Sequence, residues 1–327
     1  MGNFASTEEE TDCIKLDWVP DIKDNRDNQF LIQQTEETHL PKKIDLRDQF
    51  SHVSNNGKGI SSSVSNGIAS LIVFDQGIKK HSDYIKISRL FLDSIVGSTN
   101  DRCIRNYLKV LNKKGVCEET LWPHREDYKK HFPYKSCFNS TKLKNCIKYK
   151  RLDNTNLETL KQSLFLKRPF IFGFSVYSSF FDETVWNPKI DQMPTVSTNE
   201  KLVGGHTAVA VGYSNKRKCF IIRNCWGKKW GLDGYFFMPY KFIISDQCAD
   251  FWNIETIPDD FSYKSKKSNK TQHNNNSVKK SVSYEKNETV VLEKPDKTKD
   301  PETIDILIPK KENAVQIKRC IIRNELD

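Results

Sequence analysis

The chain has 327 residues, a formal net charge of +10 and only 37% hydrophobic residues, so we expect part of it to lie outside any folded core. It contains no run of 18 apolar residues, which excludes a membrane-spanning helix. The first ten residues lack both a basic region and an apolar region, so no secretory signal peptide is predicted and we do not expect a secreted protein.

The nine cysteines favour a reduced compartment. Their number is odd, and the sequence has neither a Cys-x-x-Cys pair nor a His/Cys cluster with zinc spacing. We therefore expect free, mostly buried thiols, and neither a metal ion nor a cofactor.

Composition divides the chain into three parts. Residues 1–42 are polar and predict an extended lead-in, whereas 43–257 alternate apolar and turn-rich stretches, as a folded body does. Residues 258–327 are rich in Lys, Asn and Ser, which predicts a largely disordered tail. Two short apolar patches in this tail, 303–309 and 317–322, could dock on the body or on a partner.

The first part of the body has helical periodicity. Two amphipathic helices are predicted near 90–95 and 104–111, the second ended by Gly115. Before them, spacings of three and four separate the apolar residues that predict a helix facing a core: Val64, Ile68, Leu71 and Ile72.

The second part of the body has strand character. Apolar runs at 169–177, 207–213, 219–223 and 234–238 are separated by turn residues. This pattern predicts an antiparallel meander or a small barrel. With helices first and strands later, the body is predicted to be α+β.

A histidine and an asparagine stand eighteen residues apart at the ends of two predicted strands. Gly204 and Gly205 precede His206, and Asn224 begins a stretch that continues through Trp226. The amide oxygen of Asn224 can accept an imidazole N–H and fix the tautomer, and a nearby tryptophan can shield that bond from water. In a site for nucleophilic catalysis, these two residues would be the general base and the residue that orients it.

Together these motifs resemble those of the papain-like cysteine proteases, and within that family a branch found in bacteria and large DNA viruses. The other matching stretches are 17–27, 43–47, 115–123 and 173–180. The resemblance covers about 17–256. It implies an α+β papain-like fold: a helical subdomain (about 43–150) packs on an antiparallel β-barrel subdomain (about 151–257), with the active-site cleft between them and a polypeptide as substrate or ligand.

The family has a cysteine nucleophile at the start of its long central helix, and this chain has serine there. Alignment from Asn66 puts Ser63 at that position, whereas alignment from Asn56 puts Ser62 there, because one extra residue intervenes. Asn56 stands where the family has its oxyanion-hole glutamine. A helix dipole, worth about 1 kcal/mol, can favour a thiolate but cannot ionise a hydroxyl.

Three functions remain open for such a chain. The first is a catalytically impaired homologue that keeps a polypeptide-binding cleft, or keeps the fold as a structural or virion interaction protein. The second is a serine-based peptidase that uses His206 as its general base, and the third is a Cys→Ser trap of an active protease. The change at Asn56 and the extra residue in the loop argue against the third, since a trap changes one residue only. We do not expect Cys225 to replace the nucleophile, because adjacent side chains on a strand point to opposite faces.

The termini suggest a membrane partner. Gly2 and Ser6 match the N-myristoylation pattern, and the lysine-rich stretch 264–280 could supply the second signal that stable anchoring needs. We therefore expect a cytoplasmic, virion-associated or membrane-associated protein. Specific nucleic-acid binding is not expected, since no stacking aromatics accompany the lysines.

Overall fold

The computed structural model describes the greater part of 16–257 and two short strands near the C-terminus. The described residues are 16, 18–31, 39–55, 62–79, 85–97, 102–182, 186–189, 192–197, 199–257, 303–308 and 316–321. The sequence predictions for Gly2, Asn56 and the lysine-rich stretch 264–280 lie outside these residues. The chain forms two compact units, Met1–Asn269 and Lys270–Asp327.

Helices dominate the first half of the larger unit. The three helices predicted from apolar periodicity are confirmed, and the first of them, sixteen residues long, is the longest in the described chain. The helices are α1 (Ser63–Ile78), α2 (Arg89–Gly97), α3 (Ile104–Lys114), α4 (Glu126–Lys129), α5 (Lys135–Asn139), α6 (Leu157–Phe165) and α7 (Tyr240–Ile243).

The second half of this unit supplies most of a seven-stranded antiparallel sheet, which confirms the α+β prediction. The strand order is β2-β7-β3-β4-β5-β6, and β1 pairs with β4 outside this path. Two strands, β1 and β2, begin within the stretch predicted to be helical. The strands are β1 (Lys43–Asp45), β2 (Ile147–Arg151), β3 (Phe170–Tyr177), β4 (Leu202–Ser214), β5 (Cys219–Arg223), β6 (Tyr235–Pro239) and β7 (Cys248–Thr256).

A glycine lets the long helix α1 approach the sheet closely. A Cβ atom on Gly67 would lie 2.5 Å from Cδ1 of Ile171 on β3 and 3.4 Å from Cγ2 of Val209 on β4. Ile68, one residue further along the helix, is fully buried in the same hydrophobic cluster. This contact fixes the start of α1 against the strand that carries His206.

A buried ionic network ties the lead-in to the body. The carboxylate of Asp21 accepts hydrogen bonds from Nε1 of Trp252 (2.9 Å), Nη1 of Arg151 (3.0 Å) and the backbone N–H of Arg105 (3.0 Å). Asp250 accepts from Nη2 of Arg151 (2.8 Å) and from the backbone N–H of Asp21 (2.7 Å). The lead-in is thereby attached to α3, β2 and β7 at once.

The smaller unit contains one antiparallel strand pair, β8 (Thr303–Ile308) and β9 (Gln316–Ile321), with Ile304 opposite Cys320. These strands coincide with the two apolar patches noted in the sequence. That the rest of the tail is disordered stays a prediction, because it lies outside the described residues. Among the helices that the structure describes, none is long and apolar enough to cross a bilayer.

The network predicts a pH dependence of stability. Burial, together with the charge of Asp21, raises the pKa of Asp250 to about 6 from 3.8. The folded state therefore holds an extra proton between these values, and the free energy of unfolding falls as pH rises from about 4 to 6, by up to about 3 kcal/mol. Urea unfolding at a series of pH values should show this loss in the wild type and not in Asp250→Asn.

The exposed carboxylate of Asp48 provides the matched control, Asp48→Asn. This variant should keep the pH dependence of the wild type. If Asp250→Asn showed the same dependence as well, the assignment to Asp250 would be wrong.

Candidate active site

His206 lies within β4 and is completely buried. Its Nε2 is 2.9 Å from Oδ1 of Asn224. With the amide oxygen facing the ring, Nε2–H is the donor, and in the neutral ring Nδ1 then carries the lone pair that can take a proton. Phe174 on β3, opposite His206 in the strand register, meets the ring edge-on at 5.5 Å between centroids. The imidazole is therefore fixed in both orientation and tautomer.

Asn224 is held in place by its own neighbours. Its backbone N–H donates to the carbonyl of Gly234 (2.9 Å), and its Oδ1 accepts a second bond from the backbone N–H of Cys225 (2.8 Å). Two donors on one oxygen fix the orientation of the amide, so that the oxygen faces His206. Asn224 follows directly after β5, which ends at Arg223.

Trp226 covers the imidazole, where the sequence analysis expects a shielding ring. Its ring centroid lies 4.9 Å from that of His206, with 34° between the planes. Phe181 stacks on Trp226 at 5.8 Å, and Trp230 meets it edge-on at 5.1 Å. This aromatic cover limits the access of water to the His206–Asn224 bond.

The two serines at the start of α1 have different roles. Ser62 is the N-cap residue, and both its carbonyl and its Oγ accept hydrogen bonds of 2.9 Å from Nδ2 of Asn66. Ser63 begins the helix, is 2% exposed, and its Oγ makes no hydrogen bond in the part of the chain that the structure describes. The Ser63 hydroxyl is therefore available to the site, while that of Ser62 serves the helix.

A small cavity joins the helix to the histidine strand. Its volume is about 60 Å³. Ser63 of α1, Thr207 of β4 and, from the segment after β5, Asn224 and Cys225 all line it. The structure thus brings the predicted residues Ser63 and Asn224 to one place, with His206 held by Asn224. Gly204 and Gly205 precede His206 on β4. Asn56 lies outside the described residues.

The expectation for Cys225 is wrong in its geometric premise. The sulfur of Cys225 lies 3.9 Å from Nε2 of His206, on the same side as Oδ1 of Asn224. Strand alternation does not apply, because β5 ends at Arg223 and the chain turns immediately afterwards. The apolar run predicted at 219–223 ends at the same residue, so strand alternation does not extend to Cys225.

The lead-in reaches the site, which sequence reasoning missed. The backbone N–H of Trp18 donates to the carbonyl of Gly205 (3.1 Å). A Cβ atom on Gly173 of β3 would collide with the ring of Trp18, and a Cβ atom on Gly205 would collide with its carbonyl oxygen. The glycines beside His206 therefore leave room for a second backbone. Their small size was a signal for close approach, but nothing local identified Trp18 as the occupant.

Comparison with known sequences gives a consistent result. The profile described as "Papain family cysteine protease" matches residues 40–249. An "uncharacterized peptidase C1-like protein", L477 of Acanthamoeba polyphaga mimivirus, is 34% identical over 216 residues, which cover 61% of this chain and 68% of that protein. Cathepsin C of Schistosoma mansoni is 28% identical over 111 residues, only 24% of its length.

Solved structures agree in fold. Xylellain, a cysteine protease from Xylella fastidiosa, superposes with a TM-score of 0.68 at 32% identity, covering 74% of this chain and 96% of that one. The digestive procathepsin L 3 of Tenebrio molitor larval midgut superposes with a TM-score of 0.52 at 16% identity, covering 71% of this chain and 75% of that one, a likeness that concerns the fold alone.

The contact between the lead-in and β4 can be tested at Gly205. In Gly205→Ala the new methyl group would collide with Trp18, so the lead-in should leave β4 and become more accessible to trypsin at Lys23 and Arg26. Gly97→Ala is the control, since its methyl group would meet only the end of the Arg102 side chain at 3.3 Å. The rate of cleavage, followed by mass spectrometry, should rise in the first variant only; equal rates would contradict the contact.

Proposed function

Since the chain belongs to the papain family of cysteine proteases, we propose that it is a catalytically impaired member that keeps a polypeptide-binding surface beside its catalytic histidine. In this proposal Ser63 occupies the position of the family's nucleophile, His206 that of the general base and Asn224 that of the residue orienting it. Asn56 occupies the oxyanion-hole position. The proposal also places the chain in the branch of bacterial and large-DNA-virus homologues, which the similarity to the mimivirus protein and to xylellain supports.

The state of Ser63 is the observation that carries the proposal. Its Oγ is buried at the start of α1 and makes no hydrogen bond to the imidazole or to any other described residue. A serine hydroxyl becomes a nucleophile only when a base takes its proton during attack, which requires such a bond. The helix N-terminus alone cannot ionise it.

Binding of polypeptide is supported by what lies beside His206. The lead-in of the same chain passes Gly204 and Gly205, and Trp18 makes a main-chain hydrogen bond to Gly205. Main-chain bonding to a strand is a general mode of recognising extended peptide. A surface that accepts one extended segment in this way can accept another when the lead-in moves.

The position of His206 supports a second candidate function, that of a serine-based peptidase. The bond of 2.9 Å between His206 and Asn224 is what such an enzyme would need. It would also need Ser63 to reach the imidazole in the presence of substrate. The hydrolysis experiment below separates the two functions, and it also separates both from a Cys→Ser trap.

For location we propose the cytoplasm, a virion or a membrane surface, with myristoylation of Gly2 and the lysine-rich stretch 264–280 as the attachment. This part of the proposal rests on the sequence pattern alone. Incorporation of a myristate analogue into wild type and not into Gly2→Ala would support it, and equal incorporation would contradict it.

Hydrolysis by matched variants tests the catalytic proposal. We expect wild type to show no more hydrolysis than His206→Ala, because its hydroxyl is not activated. Ser63→Cys should cleave, because a thiol at this position can form an ion pair with the imidazole. Adding Asn56→Gln should raise the rate further, up to about 100-fold, if the longer amide restores the oxyanion donor. A small activated ester should be assayed with the peptides, since the lead-in could exclude a peptide but not the ester.

Three results would change the assignment. Hydrolysis by wild type that is lost in His206→Ala would establish the serine-based peptidase. Full activity from Ser63→Cys alone, with no gain from Asn56→Gln, would favour the single-residue trap. If no variant hydrolysed either substrate, the impairment would not be confined to the residues at 56 and 63.

A further inference from the structure

We propose that Cys225 is a peroxide-reactive thiol, with His206 as its charge partner and the adjoining cavity as the place where a small hydroperoxide binds. This reaction needs neither a polypeptide ligand nor a nucleophile at Ser63, so it is separate from the function proposed above.

The first support is the contact between sulfur and imidazole. Sγ of Cys225 lies 3.9 Å from Nε2 of His206, the nitrogen whose hydrogen faces Asn224. An Nε2–H directed to this side can be shared between the amide oxygen and the sulfur. When the ring is protonated, its positive charge favours the thiolate, the form that reacts with peroxides.

A second cation precedes the cysteine. The guanidinium of Arg223 donates to three neutral oxygens, the carbonyls of Ser51 and His52 and the hydroxyl of Tyr235, at 2.9–3.0 Å. Among the described residues it forms no salt bridge with a carboxylate. Its charge is therefore not cancelled locally, and Arg223 and Cys225 line the same cavity.

The third support is independent of the sulfur and concerns the cavity wall. Three residues that line the cavity each have a side-chain polar atom that makes no hydrogen bond among the described residues: Oγ of Ser63, Oγ1 of Thr207 and Nδ2 of Asn224. The three residues are 2%, 1% and 3% exposed. Buried polar groups without partners cost about 1–3 kcal/mol each, so this wall favours a small molecule that can both donate and accept. Hydrogen peroxide does both.

Size selects the same class of ligand. The cavity of about 60 Å³ is larger than the roughly 10–15 Å³ that one water requires, so it has room for a ligand of a few heavy atoms. Cys225 itself is only 6% exposed, which excludes bulky electrophiles and large disulfides. A hydroperoxide with few heavy atoms satisfies both limits.

Other buried thiols provide a contrast within the same chain. Burial raises the pKa of Cys117 to about 12 and that of Cys219 to about 11, and it raises the pKa of Cys248 as well. These three are held as neutral thiols, which react slowly. We therefore expect these three to be oxidised slowly.

The reaction balances with the groups present and one peroxide. The Cys225 thiolate attacks one oxygen of the peroxide, the S–O bond forms and the O–O bond breaks. The leaving hydroxide takes the proton of the His206 imidazolium and departs as water. Sulfur loses two electrons and becomes a sulfenic acid, the peroxide is reduced, and the imidazole is left neutral. In this proposal the hydroxyls of Ser63 and Thr207, two residues that line the cavity, donate to peroxide oxygen.

The test uses the full-length reduced protein and hydrogen peroxide. After a timed exposure the peroxide is removed and the chain is unfolded in urea that contains a dimedone reagent, so that a buried sulfenic acid can be trapped. Each cysteine-containing peptide is then followed by mass spectrometry. We expect Cys225 to react first, at least about tenfold faster than N-acetylcysteine at the same pH. His206→Gln should remove this advantage, provided that its circular dichroism spectrum shows a folded chain.

The variant Thr207→Val tests the role of the cavity apart from that of the thiol, because it leaves the imidazole in place. It should slow oxidation by peroxide severalfold and leave alkylation of Cys225 by iodoacetamide unchanged, because only the peroxide uses the hydroxyl. The proposal is overturned if Cys225 reacts no faster than N-acetylcysteine, or if Cys117, Cys219 or Cys248 is oxidised first. If Thr207→Val slowed the reactions with peroxide and with iodoacetamide equally, the proposed role of the cavity in binding peroxide would be wrong.

Discussion

The close packing of α1 on the sheet is the constraint on which the site depends. Ser63 belongs to the helix and His206 to β4, so nothing in the local chain relates them. Gly67 allows the helix to lie directly on Ile171 and Val209, with no space left for a methyl group. The start of the helix is thereby brought to the cavity that Asn224 and Cys225 also line. An alanine at this position would require the side chain of Ile171 to move.

The two sides of the site differ in how their polar groups are paired. The buried imidazole, its amide partner and the covering tryptophan form the arrangement that a cysteine protease uses to hold its base. At the start of α1, the hydroxyl of Ser63, which we propose occupies the position of the family's nucleophile, makes no hydrogen bond to a described residue. Among the described residues, the sulfur of Cys225 lies 3.9 Å from the imidazole, at the nitrogen that faces Asn224. The structure thus pairs an oriented imidazole with a thiol that follows β5.

Local patterns predicted much of this and missed the contacts between distant parts. Apolar spacing identified α1 to α3, and the motifs around His206 and Asn224 identified residues that the structure joins by a hydrogen bond. The end of β5 at Arg223 agrees with the predicted run 219–223, but the position of Cys225 depends on how the chain turns after it, which apolar periodicity does not indicate. The contact of Trp18 with Gly205 joins residues nearly two hundred positions apart, and the network around Asp21 is equally long-range. Such contacts arise from the folded topology and leave no periodic signal.

The central claim is that Ser63 is not an activated nucleophile, although Asn224 holds the imidazole of His206 in a fixed orientation. The most direct measurement is the intact mass of the wild-type protein after treatment with a fluorophosphonate, which phosphonylates activated serines. As the positive control, the variant Ser63→Cys is treated with a peptidyl epoxide and its intact mass is measured in the same way. The account predicts no adduct on wild type and a single adduct at position 63 of the variant. A fluorophosphonate adduct on Ser63 that is lost in His206→Ala would contradict it.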